Sequence, residues 1–275
     1  LMIAGAGTGK TTIITERLAW ILRSNRAQEN EVVGLTFTEK AAEEMEERVG
    51  QILNSSYLDI WISTFHSFCE RILRNYAFDI GISPDFKVLN QTSAWLLVRQ
   101  NLNRFSLKYY RLLSSPARFI HILLEHFSRC KDEGIYPDDY LQYAVSLRQN
   151  AKNGGRREKL TDDLKKIKEI ALIYSEYQRL ILEKDYLDFG DLINYTLKLL
   201  REKKAILNQL REQFKYILVD EFQDTNWAQY ELLKLLSPPK NNLTVCADDD
   251  QSIYLFRGAS FNNVLQFRKD FPNAK

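Results

Sequence analysis

Residues 4 to 12 read "AGAGTGKTT", directly after the apolar run Leu1-Met2-Ile3. A glycine-rich turn ending in Gly9-Lys10-Thr11 has the order of a P-loop: strand, phosphate-wrapping turn, helix start. Its backbone N–H groups can close around phosphate oxygens while the helix N-terminus adds positive potential. The nucleotide-binding candidates are therefore Ala4, Gly5, Ala6, Gly7, Thr8, Gly9, Lys10, Thr11 and Thr12. Lys10 has the reach for the β and γ phosphates, and the Thr11 hydroxyl suits Mg²⁺. Ala4 stands where the pattern G-x-x-x-x-G-K-[ST] calls for glycine, with Gly5 beside it. A second constellation is "YILVDEFQDTN", residues 216 to 226. An apolar strand ending in Asp220-Glu221 can put one carboxylate on the metal beside Thr11 and a second beside the γ-phosphate, to orient or deprotonate a water.

These residues need a scaffold that brings two strand ends together. Residues 1 to 82 alternate strand and helix: "LMIAG", then "TTIITERLAWIL" with Ile14, Leu18, Ile21 and Leu22 on one face, then "VVGLTF". A helix from about Lys40 follows, with Thr38 as its N-cap, then the strand "DIWIS" and a helix through "SFCERILRNYA". The alternation returns near residue 188 with a helix, the strand "KYILVD", the helix "WAQYELLKLL" and the strand "LTVCA". Strands alternating with helices predict a parallel sheet covered on both faces. Residues 84 to 186 carry long helical periodicities and no convincing strand, and "RQNAKNGGRREK" reads as a polar loop within them. The fold class is thus α/β, with a mainly α-helical subdomain (84 to 186) inserted into a discontinuous domain (1 to 83 and 187 to 275).

The 275 residues contain 45% hydrophobic and 27% charged residues, the balance of a globular protein. No apolar run approaches the roughly 20 residues that cross a bilayer, and no signal-peptide pattern is present, so a cytoplasmic setting without membrane partners is expected. Cys69, Cys130 and Cys246 are too far apart for a metal site and read as small buried hydrophobes in a reducing compartment. The net charge of +2 divides unevenly. Residues 84 to 186 hold 18 Lys and Arg against 13 Asp and Glu, and the remainder holds 20 against 23. The basic middle can serve as a nucleic-acid face or as ordinary solvated helix surface.

Four further segments follow or lie near expected strand ends: "LTFTEKAAEEM", "ISTFHSF", "YLDFGDL" and "ADDDQSIYLFRGA". They place Phe37, Phe65, His66, Phe189, Tyr254 and Phe256 on loops, where apolar rings are costly unless something covers them. Rings beside Thr, His and Arg suit a single nucleic-acid strand, with rings stacking on bases and hydroxyls or cations meeting phosphates. Phe65 fits better as a core ring; Phe256, next to Arg257 in a polar segment, fits the strand.

In order and spacing, "AGAGTGKT", "TFTEKAAEEM", "STFHSFCERIL", "LDFGDL", "LVDEFQDTN" and "DDDQSIYLFRGA" resemble the N-terminal motor half of superfamily 1 DNA helicases of the UvrD/Rep/PcrA family. The resemblance covers nearly the whole chain. It implies a first RecA-like domain with a helical, DNA-facing insertion, ATP and Mg²⁺ as cofactors, and single-stranded DNA and DNA junctions as partners. It implies Lys10 and Thr11 on the phosphates and Mg²⁺, Asp220 on the metal, Glu221 on the water, and Gln223 and Gln251 sensing the γ-phosphate. Phe37, Phe189, Tyr254 and Phe256 would line the single-strand track, with Thr64, His66 and Arg257 on or near its backbone. It also implies 3′ to 5′ translocation.

The departures are specific. Glu39 stands where the family usually has Asn after "TFT", as in relatives resembling nuclease-coupled recombination helicases, and an acid there discourages a phosphate contact. Phe256 replaces the usual Trp, and Ala247 the usual Gly before "DDDQ". The chain starts inside a strand, so a piece of something longer is expected. The adenine-reading segment would precede Leu1, and the motifs of the second motor domain, with its arginines, would follow Lys275. Such a piece alone would be nearly inactive. Two rivals stay open: the motor of a nuclease-coupled helicase, and a non-hydrolysing, ATP-gated DNA-binding module.

Overall fold

The computed structural model describes residues 1–3, 5, 8–55, 59–110, 116–153, 157–237, 242–248 and 261–274, with the backbone alone at 116–117, 148–153, 157–161 and 261–262. The chain divides into two compact units, Leu1–Gly81 with Leu192–Lys275, and Ile82–Asp191.

The first unit is built on a five-stranded parallel sheet: β1 (Met2–Ile3), β2 (Val32–Thr36), β3 (Trp61–Thr64), β6 (Tyr216–Val219) and β7 (Asn242–Ala247). Their order across the sheet is β1-β7-β6-β2-β3, so β6 and β7, distant in sequence, fill its centre. Successive side chains alternate between faces. Val32, Leu218 and Cys246 point to the face covered by α1 (Lys10–Arg23) and α2 (Glu39–Leu53), where Ile14, Leu18, Ile21, Met45 and Val49 are fully buried. Trp61 lies on the opposite face, edge-on to Phe68 of α3 (Phe65–Tyr76) and Phe214 after α9 (Lys204–Gln213). Strands buried on both faces explain the continuous apolar runs. Of the expected α1 face, Ile14, Leu18 and Ile21 are core and Leu22 only half-buried.

Two helices begin at side-chain caps, the first of them the one its sequence predicts. Thr38 caps α2, its hydroxyl accepting the Ala41 N–H at 3.1 Å, and Asn226 caps α10 (Trp227–Leu236) through a reciprocal box with Gln229. Here α11 (Phe261–Asp270) closes the described chain of this unit, and the N-terminal part of α8 (Phe189–Glu202) lies in the other.

The second unit is mainly helical: α4 (Gln91–Gln100), α5 (Pro116–Asp132), α6 (Pro137–Asn153) and α7 (Arg157–Leu182). Its core stacks Phe127 on Tyr174 at 4.6 Å and on Tyr177 at 5.6 Å. Two expectations fail here. The unit does contain strands: β4 (Lys87–Leu89) pairs in parallel with β5 (Tyr186–Asp188). Three residues are too few to show an alternation, and the partner lies almost a whole subdomain away in sequence. The segment "RQNAKNGGRREK" is also mostly helix, since α6 runs through Asn153 and α7 begins at Arg157. Among the described residues no helix is long and apolar enough to cross a membrane.

Candidate functional site

All five strands of the large sheet run in parallel, so their C-terminal ends share one edge. That edge collects the P-loop after β1, Phe37 after β2, Thr64 at the end of β3, Asp220 after β6 and Asp248 after β7. Such an edge is where open α/β sheets bind ligands.

Gly9 has φ 83°, a left-handed conformation that glycine adopts without strain, and it turns the chain into α1. The Thr8 hydroxyl closes the loop on the Gly5 carbonyl at 2.7 Å. Lys10, 7% exposed, extends along the loop to 3.4 Å from the Gly5 carbonyl, and its ammonium pairs with the Asp248 carboxylate. One residue on, the Thr11 hydroxyl donates to Asp220 Oδ2 at 2.8 Å, joining positions 209 apart in the chain. The other Asp220 oxygen accepts the Glu221 N–H at 3.0 Å. Glu221 has φ 51°, unusual for a residue with a side chain, and leads a 3-10 turn over Phe222–Asp224. Gln223, 1% exposed, donates through Nε2 to Glu221 Oε2 at 2.6 Å and accepts the Asp248 N–H at 2.8 Å. Next to Glu221, burial and then the Glu221 charge push Asp224 up to about 6. Perturbed carboxyls of this kind gather at chemical sites.

Among the described residues no group of three or more His, Cys, Asp or Glu side chains forms a metal cage. The donor set still fits Mg²⁺: a hydroxyl and a buried carboxylate, both hard oxygens, already 2.8 Å apart. Mg²⁺ sites use one or two protein carboxylates and leave the remaining positions to phosphate and water.

On the same edge, Phe37 is half-buried, its ring 5.8 Å from Phe65, which is 1% exposed and a core ring as expected. Thr64 is 5% exposed; its hydroxyl caps α3 by accepting the Ser67 N–H at 3.2 Å and donates to Glu39 Oε1 at 2.9 Å. The Ser67 hydroxyl donates to the same oxygen at 2.7 Å. Glu39 thus ties the Phe37 turn to the start of α3, and the Thr64 donor is already used. His66 is half-buried in the first turn of α3. Thr12 is exposed on α1. Ala4, Ala6, Gly7, Gln251, Tyr254, Phe256 and Arg257 lie outside the described residues.

"YLDFGDL" begins with β5 of the small sheet and runs into α8, so its strand is not one of the large sheet. There Phe189 is 49% exposed, next in sequence to a buried charge cluster. Lys131, 3% exposed, reaches Asp188 at 2.6 Å and Asp191 at 2.8 Å, while Tyr177 donates to Asp188 at 2.9 Å and Gln178 to Asp191 at 2.9 Å. A Cβ on Gly190 would stand 2.7 Å from the Lys131 Cβ, so only glycine lets the turn approach so closely. One lysine cannot neutralise two buried carboxylates. Burial pushes Asp188 up, but the Lys131 charge and the hydrogen bonds from Lys131, the Asp191 N–H and Tyr177 together outweigh it and hold the carboxyl below its usual range, while Asp191 is raised to about 7 by burial and the Asp188 charge. A carboxyl raised in the fold contributes stability that is present below its unfolded pKa and lost as pH rises through about 7. The melting temperature should therefore fall from about pH 4 to about pH 7 and level off above, and Asp191→Asn should flatten that slope. A slope unchanged by the substitution would place the titration elsewhere.

Much of the basic excess of this unit is internally paired: Arg104, Arg129, Lys131, Lys165, Lys166 and Arg179 each meet a carboxylate. Apart from the buried Lys131, solvated helix surface accounts for those charges without a ligand.

The order of motifs along one sheet edge corresponds to a known family. A sequence profile of the UvrD/REP helicase N-terminal domain matches residues 1–272. The chain belongs to this family. It is 38% identical over 275 residues to the ATP-dependent DNA helicase PcrA of Bacillus subtilis, covering 100% of this chain and 34% of that protein. PcrA of Staphylococcus aureus is 38% identical over 274 residues, again 100% and 34%. The probable DNA helicase II homolog of Mycoplasma capricolum is 35% identical over 273 residues, 99% and 35%. The chain spans about a third of the length of these relatives.

Within this UvrD/REP chain, three features escaped the motif reading: Asp248 as a partner of Lys10, Glu39 as a clamp on Thr64 and Ser67, and the Lys131 cluster with Asp188 and Asp191. Asp248 and Glu39 stand inside quoted motifs, so their residue types were visible and their partners were not. Lys131 lies in no motif. All three cysteines are buried, and burial pushes Cys69 up to about 12 and Cys130 and Cys246 to about 11, which leaves them unreactive.

Proposed function

We propose that the chain is the first motor domain, with its inserted subdomain, of an ATP-dependent DNA translocase and helicase that moves 3′ to 5′ on single-stranded DNA at duplex junctions. The observation that carries this reading is the continuous set of contacts at one sheet edge, Thr11–Asp220–Glu221–Gln223–Asp248–Lys10. Lys10 binds the β and γ phosphates of ATP, and Thr11 with Asp220 holds Mg²⁺. The ion, when bound, neutralises charge on the phosphates. Glu221 accepts the proton of the attacking water as its oxygen bonds to the γ-phosphorus and ADP departs. Gln223, bonded to Glu221 on one side and to the Asp248 backbone on the other, keeps that carboxylate aimed, and Gln251 senses the γ-phosphate. This hydrogen-bonded carboxylate favours hydrolysis over an ATP-gated binding module. The setting is cytoplasmic.

On the DNA side, Phe37, Phe189, Tyr254 and Phe256 stack on bases, and Thr64, His66 and Arg257 meet the sugar-phosphate chain. Thr64 does so only when Glu39 releases its hydroxyl. Phe189 supplies the clearest test, because it is 49% exposed and so is not a core ring. Stacking on one base is worth roughly 1 to 3 kcal/mol, whereas truncating a core Phe costs about 3 to 5 kcal/mol of stability. Phe189→Ala should therefore weaken binding of a labelled single-stranded oligonucleotide while the melting temperature barely moves. A lower melting temperature with intact binding would make Phe189 a packing residue. Absence of single-strand binding by the parent, at low and moderate salt, would overturn the reading as a whole.

A further inference from the structure

Lys10 and Asp248 are 238 positions apart and form a buried ion pair: the lysine is 7% exposed and the aspartate 0%. Asp248 stands directly after β7, so the central strands of the sheet deliver its carboxylate to the P-loop lysine. The same residue gives its backbone N–H to Gln223 Oε1 at 2.8 Å, and Gln223 reaches Glu221 at 2.6 Å. One aspartate thus joins the cation assigned above to phosphate and the carboxylate assigned to water.

An incoming triphosphate brings anionic oxygens to the same ammonium. Two anions on one buried cation repel each other strongly, because the low-dielectric surroundings screen little. Without nucleotide, in turn, a neutral Asp248 would take its carboxylate from the buried Lys10 ammonium, and breaking one side of a buried ion pair is costly. We propose that Asp248 is a positioning residue: its carboxylate holds Lys10 in the loop before nucleotide arrives and is exchanged for phosphate when nucleotide binds. The exchange sets nucleotide affinity, since each binding event must break the ion pair. It also acts on Asp248 itself, whose backbone holds Gln223 and, through it, Glu221. This inference rests on the reading that Lys10 binds phosphate.

The test compares the 275-residue chain with its Asp248→Asn variant, which removes the charge and keeps the backbone N–H for Gln223. Titration with MgADP should show tighter binding, by about tenfold if the paired form outnumbers the released one by about ten to one. The nucleotide-free variant should melt lower than the parent, and saturating MgADP should raise its melting temperature by more than it raises the parent's. A purely structural Asp248 would lower the melting temperature and leave affinity equal or weaker, which overturns the proposal. Asp248→Ser, neutral and smaller, should shift affinity in the same direction if the Asn variant does not fold. In the parent labelled with ¹³C-aspartate, the Asp248 carboxylate signal should move on adding MgADP, and a signal that stays in place also overturns the exchange. A parent that binds no MgADP would instead refute the phosphate site from which the inference starts.

Discussion

Replacing Glu221 by glutamine in the full-length protein is expected to leave ATP and Mg²⁺ binding near the parent level while DNA-stimulated hydrolysis falls by roughly 10²- to 10⁴-fold, the usual worth of a positioned general base. The local geometry makes this substitution clean. Glu221 Oε2 accepts from Gln223 Nε2 at 2.6 Å, and a glutamine oxygen can accept the same bond, so the turn over Phe222–Asp224 keeps its shape. The amide cannot take a proton from water. Asp220→Asn should act differently, because Asp220 accepts from the Thr11 hydroxyl at 2.8 Å and is the carboxylate proposed to hold the metal. That variant should need more Mg²⁺ for the same turnover. Equilibrium nucleotide binding beside steady-state phosphate release separates the two. Near-parental turnover by Glu221→Gln would assign the water to another residue.

Residues 1–275 alone are expected to hydrolyse ATP about 10³- to 10⁵-fold more slowly than a chain of the relatives' full length, the range that a charge-stabilising arginine supplies at a transferring phosphoryl group. The resemblance assigns such arginines to a second motor domain, and the chain spans about a third of its relatives. Closure of two such domains on ATP is also what would move the strand past the stacking rings, so the 275-residue chain should not unwind a tailed duplex. Phosphate release with and without single-stranded DNA measures the first claim and strand displacement the second. Robust DNA-stimulated turnover by this chain would mean that its ATP site is complete within one domain.

What the sequence determined by itself is local. Strand, glycine-rich turn and helix follow one another at residues 1 to 23, so the P-loop, the apolar face of α1 and the Thr38 cap were legible from spacing, as was the strand that ends at Asp220. Phe65 was expected on a loop but as a core ring; it is buried, at the first residue of α3. Alternating elements dictated a parallel sheet, because parallel strands need a crossover between them. Strand order was not legible, since β6 and β7 enter the middle of the sheet after about a hundred residues of helical insertion. Nor were β4 and β5: three residues carry no period, and their pairing exists only once the helices between them have folded. The tertiary structure alone decided the partners of charged groups. Lys10 with Asp248, Lys131 with Asp188 and Asp191, and Glu39 with Thr64 and Ser67 join residues 25 to 238 positions apart. Residue type states that a carboxylate can bind a cation. Which cation it binds depends on the strand ends and helix starts that the closed sheet brings within hydrogen-bond distance, where burial makes an unmet charge too costly to keep.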